Sequence, residues 1–299
     1  MRLRPGSRVA VVAPAGPVSA EALDRGVAVL RDWGLRVEIG EHVLDRHPTL
    51  GYLAGPDTDR AADLQRAWCD PEIDAVLCAR GGYGCLRMVD LLDFDAMAAA
   101  GPTVFAGSSD VTALHAAIGD RLGVPTLFAP MIAGGLFDPV AQEHLRRTLF
   151  EPDEVLALTG PATRTLVPGV AEGVLTGGNL SLIVAGLAAA DAPPPPDNAI
   201  VLLEDVGEPP YRLDRMITQL LRAGWFTGVN GIALGSWADC GAASEVSQVM
   251  ADLVGSLGIP TVWELGFGHC PGQLTVPLGV PARLNADEGT LTVLKPALG

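Results

Sequence analysis

Val104-Phe105-Ala106-Gly107-Ser108-Ser109-Asp110-Val111-Thr112-Ala113-Leu114-His115-Ala116 passes from an apolar run through two serines directly into a helical pattern. Val111, Leu114, Ala117 and Ile118 recur at helical spacing, so the stretch is a strand that turns sharply into a helix. Such a turn exposes the side chain at its corner and aims the first N–H groups of the helix at whatever sits there. That is the layout of a nucleophile elbow, with a serine oxygen beside a ready oxyanion site. The GxSxG spelling is absent, because Val111 takes the place of the second glycine. A serine that merely caps the helix is the competing reading, and on this stretch alone it leads.

The flanking sequence repeats the strand–helix alternation. Residues 8–13 form a β-rich run ended by Pro14-Ala15-Gly16-Pro17. Ser19 can cap a helix that carries Leu23, Val27 and Leu30 on one face and stops at Gly34, and Val37-Glu38-Ile39 resumes as a strand. Strand, helix and strand within about 30 residues make a βαβ unit and imply a parallel sheet. A helix over 58–69 follows, then a strand over 74–79 that runs into Arg80-Gly81-Gly82-Tyr83-Gly84. Glycines beyond the end of a parallel strand let the backbone approach a ligand. The run has neither the Walker spacing and lysine nor GxGxxG, so a nucleotide site is not inferred. Residues 86–92 suggest a helix and 127–129 a further strand.

The alternation weakens across 151–168, expected to be a linker between an α/β domain over 1–150 and a second domain over 169–299. The second domain opens with a strand, a turn at Gly177-Gly178 and an apolar helix from Leu180. A strand over 199–203 ends in Glu204-Asp205, and a helix with Leu213, Ile217, Leu220 and Leu221 on one face follows. Short β-like runs at 274–276, 282–284 and 290–294 point to a small sheet or barrel. The expected fold class is therefore α/β, a parallel-sheet domain followed by a smaller β-rich, barrel-like domain.

With 299 residues, 48% hydrophobic and 18% charged, the chain can bury a large core. Its 35 acidic and 20 basic residues give a net charge of -15, which disfavours nucleic acid and anionic membranes. Five cysteines without CxxC spacing read as small apolar side chains in a reducing compartment. The apolar run at 9–13 is short and broken by Pro14, unlike a signal peptide, and no stretch approaches the roughly 20 apolar residues of a membrane span. A cytoplasmic location is expected.

A serine nucleophile needs a base and a group that orients it. Of five histidines, His42 and His47 sit in a polar loop, His144 in a charge-rich helical stretch, and His115 on the elbow's own helix. His269 lies in Gly268-His269-Cys270-Pro271, a loop just after an apolar run, where on position alone an ordinary loop histidine is the leading reading. For the orienting acid, Glu204 ends a buried strand, a costly place for a carboxylate unless it is paired; Asp205 and Glu208 are its rivals. No HExxH or equivalent ligand set is present, so no metal or other cofactor is expected.

Arg80-Gly81-Gly82-Tyr83-Gly84, Gly107-Ser108-Ser109-Asp110, Gly177-Gly178-Asn179-Leu180, Leu203-Glu204-Asp205 with Pro210-Tyr211-Arg212-Leu213-Asp214-Arg215, and Gly268-His269 fall in one order. In that order and over essentially its full length, the chain resembles the LD-carboxypeptidases, serine peptidases of murein recycling whose family includes the microcin-immunity peptidases. The resemblance implies a triad of Ser109, Glu204 and His269, with the backbone N–H groups of Gly82 and Asp110 as the oxyanion hole. It implies a Rossmann-like N-terminal domain, a β-rich C-terminal domain, a site in the cleft between them, and a homodimer. The implied reaction removes the terminal D-alanine from a murein tetrapeptide. Arg80, Tyr83 and Arg212 are candidate substrate contacts, and Arg215 joins the two arginines as a candidate for the terminal carboxylate. Three alternatives stand beside this one: an immunity-type peptidase acting on an aminoacyl-nucleotide antibiotic, a catalytically silent muropeptide-binding protein, and a glutamine amidotransferase-like enzyme. The last would need a cysteine where Ser109 stands.

Overall fold

The computed structural model describes residues 2–190 and 192–299. Its first half runs β1 (Arg8–Val12), α1 (Ala20–Asp32), β2 (Arg36–Ile39), α2 (Asp57–Cys69), β3 (Ala75–Cys78), α3 (Cys85–Met88), α4 (Phe94–Ala100), β4 (Val104–Gly107), α5 (Thr112–Leu122), β5 (Thr126–Phe128) and α6 (Pro139–Phe150). The second half runs β6 (Ala157–Leu158), β7 (Arg164–Val167), β8 (Val170–Asn179), α7 (Leu180–Ala185), β9 (Ile200–Val206), α8 (Pro210–Arg222), β10 (Gly231–Ala238), α9 (Ala243–Leu253), β11 (Thr261–Trp263), β12 (Val276–Leu278), β13 (Pro281–Asn285) and β14 (Thr290–Val293).

Side chains alternate across a strand with a period of two, and β1 uses both faces. Val9 and Val11 enter a core shared with α1 and α6, while Ala10 and Val12 enter one shared with α2, α3 and α5. A strand buried on both sides belongs in a parallel sheet covered by helices. The six-stranded order is β12-β5-β4-β3-β1-β2, with β1 to β5 parallel and β12 antiparallel at the edge. From β1 the chain passes to β2 through α1 on one face. From β3 it passes to β4 in the other direction, over the opposite face. The crevice beyond the carboxyl ends of β1 and β3 is thus a topological switch point, where open α/β sheets place ligands.

The second sheet has eight strands in the order β6-β14-β13-β8-β9-β10-β11-β7. Its centre, β8 to β11, is parallel. Leu175, Ile200, Leu202, Ala233, Val262, Leu284 and Leu291 line a core on one face, while Val201, Leu203, Ile232 and Leu234 pack under α7, α8 and α9 on the other. The two edge strands β6 and β7 are joined by the short loop 159–163, so the sheet curls on itself. Residues 151–168, expected as a linker, carry both edge strands. At two and four residues, and largely exposed, they are too short and too polar to show an alternating pattern.

The halves interlock. Strand β12 crosses back to pair with β5, with Val276 opposite Phe128. Phe128 then meets Phe267 edge-on at 5.8 Å between ring centroids, inside the core of the curled sheet.

Candidate active site

The elbow forms where β4 ends against α5. Buried His115, on α5, lies with Nε2 2.9 Å from the Gly107 carbonyl and Nδ1 2.9 Å from Thr126 Oγ1. A carbonyl only accepts, so Nε2 carries the hydrogen and Nδ1 accepts from the threonine. Burial pulls the His115 pKa down to about 4, which keeps the ring neutral in this clamp. Beyond Gly107 the two serines diverge. Ser108 is extended and 5% exposed, whereas Ser109 is half-buried with φ at +58°, a left-handed conformation rare outside glycine. Such strain costs about 1–3 kcal/mol and is typical of a residue held for a purpose.

Gly81 comes up against Ser109 so closely that a Cβ there would lie 2.9 Å from the Ser109 Cβ and 3.1 Å from its Oγ. Only glycine fits. The Gly81 carbonyl accepts from Gly16 N–H at 2.9 Å. In a planar trans peptide the Gly82 N–H then points the opposite way, and it has no acceptor among the described residues. The Asp110 side chain, 1% exposed, accepts from the Cys85 N–H at 2.8 Å and so ties the elbow to the far end of the glycine loop. Burial raises its pKa, partly offset by the hydrogen bonds at Cys85.

A residue overlooked in the sequence completes this scaffold. Arg60 is buried and donates to Gly84 O at 3.0 Å, to Gly55 O at 3.3 Å and to Pro14 O, while pairing with Asp57. It joins the loops that follow β1, β2 and β3. The cue was present: Arg60, Leu64, Ala67 and Trp68 share one helical face, so a guanidinium falls in an apolar stripe and must be fully partnered.

From the second half, Glu204 on β9 is 0% exposed. Its Oε2 lies 2.7 Å from His269 Nδ1 and accepts from the His269 backbone N–H at 3.3 Å. A Cβ on Gly268 would sit 2.6 Å from the same oxygen, so the loop can lie on Glu204 only with glycine there. Glu204 Oε1 accepts from Asn179 Nδ2 at 3.1 Å, and that amide also donates to Asp205 Oδ1 at 3.0 Å. The rival acids are engaged elsewhere: Asp205 accepts from Ser181, and Glu208 lies 2.8 Å from Arg212 Nε. Burial lowers the His269 pKa, but the hydrogen bond to Glu204 and the charges of Glu204 and Asp205 outweigh it, so the net shift is upward. With Nδ1 engaged, Nε2 is the nitrogen left for chemistry. No hydrogen bond joins Ser109 Oγ to His269 among the described residues; contacts of this kind commonly tighten only when a substrate is bound.

The His269 loop is also held from the first half. Asp138, the N-cap of α6, accepts from Gly272 N–H at 2.7 Å, and His144 Nδ1 accepts from Thr275 N–H at 3.1 Å. Burial lowers His144 to about 4, so it too works as a neutral acceptor. Neither role was legible from the charge-rich stretch around it. Of the remaining candidates, Tyr83 is exposed and packs edge-on against Tyr52 at 5.8 Å. Arg215 covers the Tyr211 ring at 5.4 Å, and Arg80 Nη1 donates to Pro17 O at 2.5 Å.

Known proteins share this fold. The family models for the LD-carboxypeptidase N-terminal and C-terminal domains match residues 9–129 and 172–284. A relative from Streptomyces coelicolor, named only provisionally as a carboxypeptidase, is 58% identical over 99% of this chain and 96% of its own. The murein tetrapeptide carboxypeptidase of Pseudomonas aeruginosa is 31% identical over 94% of each chain. Among solved structures, muramoyltetrapeptide carboxypeptidase from Oxalobacter formigenes superposes with a TM-score of 0.79 at 27% identity, covering 95% of this chain and 97% of that one. MccF in complex with glutamyl sulfamoyl guanosine superposes at 0.87 and 21% identity, covering 100% and 98%, a likeness of fold. The two domain models and the full-length relatives agree: the chain belongs to the LD-carboxypeptidase family of peptidases.

Proposed function

We propose that the protein is a serine-type LD-carboxypeptidase that releases the terminal D-alanine of murein tetrapeptides. The observation that carries the reading is the fully buried Glu204 held 2.7 Å from His269 Nδ1, in a chain where Ser109, with a left-handed backbone, stands just beyond the end of a strand of the parallel sheet. As Ser109 Oγ attacks the carbonyl carbon of the penultimate residue, His269 Nε2 takes its proton. The oxyanion that forms is met by the N–H groups of Gly82 and Asp110. Collapse of the tetrahedral intermediate breaks the C–N bond, and His269 returns the proton to the departing D-alanine amine. Water, deprotonated by the same nitrogen, then frees the acyl group from Ser109. Glu204 fixes the Nδ1–H tautomer and stabilises the imidazolium formed in each half of the cycle.

Murein recycling implies a cytoplasmic enzyme, and the family resemblance a homodimer; among the described residues no helix is long and apolar enough to cross a membrane. The test is incubation with murein tetrapeptide and assay of free D-alanine. Release by the native protein and its loss in Ser109→Ala support the proposal. Cleavage of an aminoacyl sulfamoyl nucleoside with no D-alanine release would move the protein to the immunity-type activity.

A further inference from the structure

Most cations near the site already have partners. Arg60 and Arg87 meet Asp57, Arg212 meets Glu208, and Arg215 lies over Tyr211. Arg80 has no carboxylate partner among the described residues. Its one anchor among the described residues, the Pro17 carbonyl, leaves most of the donor fork unused. Arg46 likewise has no carboxylate partner among the described residues, and the two arginines line one cavity of about 350 Å³. The other walls include Pro17 and Ser19 after β1 and Ala133 and Gly134 after β5, and no lining residue is acidic. In a chain with 35 acidic and 20 basic residues, two unpaired guanidinium groups sharing an acid-free cavity make a local positive well in an otherwise repulsive field.

Its place in the fold matters as much as its charge. The cavity opens among loops beyond the carboxyl ends of β1, β3 and β5, at the switch point of the parallel sheet. Arg80 is the neighbour of Gly81, the residue that abuts the Ser109 side chain. In a carboxypeptidase reaction the charge that distinguishes the correct bond is the carboxylate of the leaving residue, one residue beyond the attacked carbonyl. We propose that the Arg80–Arg46 cavity is the subsite for that terminal carboxylate. Arg80 presents a fixed planar fork suited to a bidentate carboxylate contact, and Arg46 adds a second positive charge. Ala133 and Gly134 leave room for a leaving residue with a short side chain. This assignment rests on the serine carboxypeptidase reading, and it separates Arg80 from Arg212 and Arg215, whose groups are engaged elsewhere.

The experiment measures binding without turnover. Calorimetry on Ser109→Ala compares murein tetrapeptide bearing its free terminal carboxylate with the same peptide as its C-terminal amide. The acid is expected to bind about 10–100-fold more tightly, the worth of a charge-assisted contact. Adding Arg80→Gln should bring the ratio close to one while leaving the affinity for the amide unchanged, which a merely damaged fold would not do. Arg46→Gln should reduce the ratio by a smaller factor. Equal affinities for acid and amide in Ser109→Ala, a preference that survives Arg80→Gln, or no binding of either peptide would each overturn the subsite. D-alanine release by the native protein is scored separately. Acid preference without release would sink the peptidase reading and keep the subsite; release with no dependence on Arg80 would do the reverse.

Discussion

Thr112 Oγ1 accepts a hydrogen bond from the Asn179 backbone N–H at 3.0 Å, joining the first turn of the elbow helix to the end of β8. The Asn179 amide then carries the link onward to Glu204 and Asp205. Serine and acid come from different halves of the chain, and this contact sets one against the other. Gly178 lets it form, since a Cβ there would lie 2.6 Å from the same Thr112 oxygen.

Removing that amide should damage the site and the fold together. Asn179→Ala strips a donor from two buried carboxylates, each a desolvated acceptor that costs about 1–3 kcal/mol to leave unpaired. Chemical denaturation should show a loss of that order, and turnover should fall because Glu204 loses the group that fixes its second oxygen. Full activity and unchanged stability would mean that a solvent path satisfies both acids.

Glu204→Gln tests the role of the acid through pH. In the native protein the His269 pKa is raised above its ordinary value of 6.5 because Glu204, helped by the charge of Asp205, outweighs burial. On the proposed mechanism His269 is the base and must be neutral, so kcat/KM should rise with pH through an acidic limb centred above 6.5. Glutamine can still accept from Nδ1–H but carries no charge, which leaves burial opposed only by the more distant charge of Asp205. The limb should therefore move to lower pH while kcat falls by a factor on the order of 10²–10⁴. A limb that does not move would show that another group sets the profile.

Stability should respond to acid in a separate window. His115 and His144 have folded pKa values of about 4 against 6.5 unfolded. Both are neutral in both states above pH 6.5, so their contribution is intact there. As pH falls from 6.5 towards 4 the unfolded chain takes up protons that the fold refuses, and stability drops by about 3 kcal/mol for each group. His269 has the opposite sign: its raised pKa adds stability below pH 6.5 that is lost as pH climbs through the folded value. Because Asn can offer an acceptor near the place of Nδ1 without titrating, His144→Asn should flatten the acid limb of a melting-temperature profile. An unchanged limb would show that His144 is not among the groups responsible.

The sequence disclosed the elbow, the glycine loop and the parallel sheet because each is local: a period of two, a period of 3.6, or a run of glycines. Glu204 was legible for a related reason, since a carboxylate at the end of a buried strand demands a partner. What stayed hidden is held by contacts between distant segments. His144 meets Thr275 across 131 positions, and Asp138 meets Gly272 across 134; no local pattern records either. Strands β6 and β7 escaped for the same cause, being stabilised by β14 and β11 rather than by any periodicity of their own.

Ser109 gives the sharpest test, because its backbone and its hydroxyl make opposite demands. At φ +58° a residue with a Cβ pays about 1–2 kcal/mol that glycine does not. Glycine loses about 0.5–1 kcal/mol of that gain to its freer unfolded state. Ser109→Gly should therefore be about 0.5–1 kcal/mol more stable than Ser109→Ala, and both should lose activity by a factor on the order of 10⁴ or more. Ser108→Ala, at an extended and buried position, should keep most of its activity and lose about 1 kcal/mol at most. Denaturation curves and D-alanine release on the three variants decide the matter. If Ser108→Ala were the inactive one, the nucleophile would be the residue before the corner. If Ser109→Gly were less stable than Ser109→Ala, the strain would not reside at Ser109. Retention of activity in both Ser109 variants would end the serine mechanism for this protein.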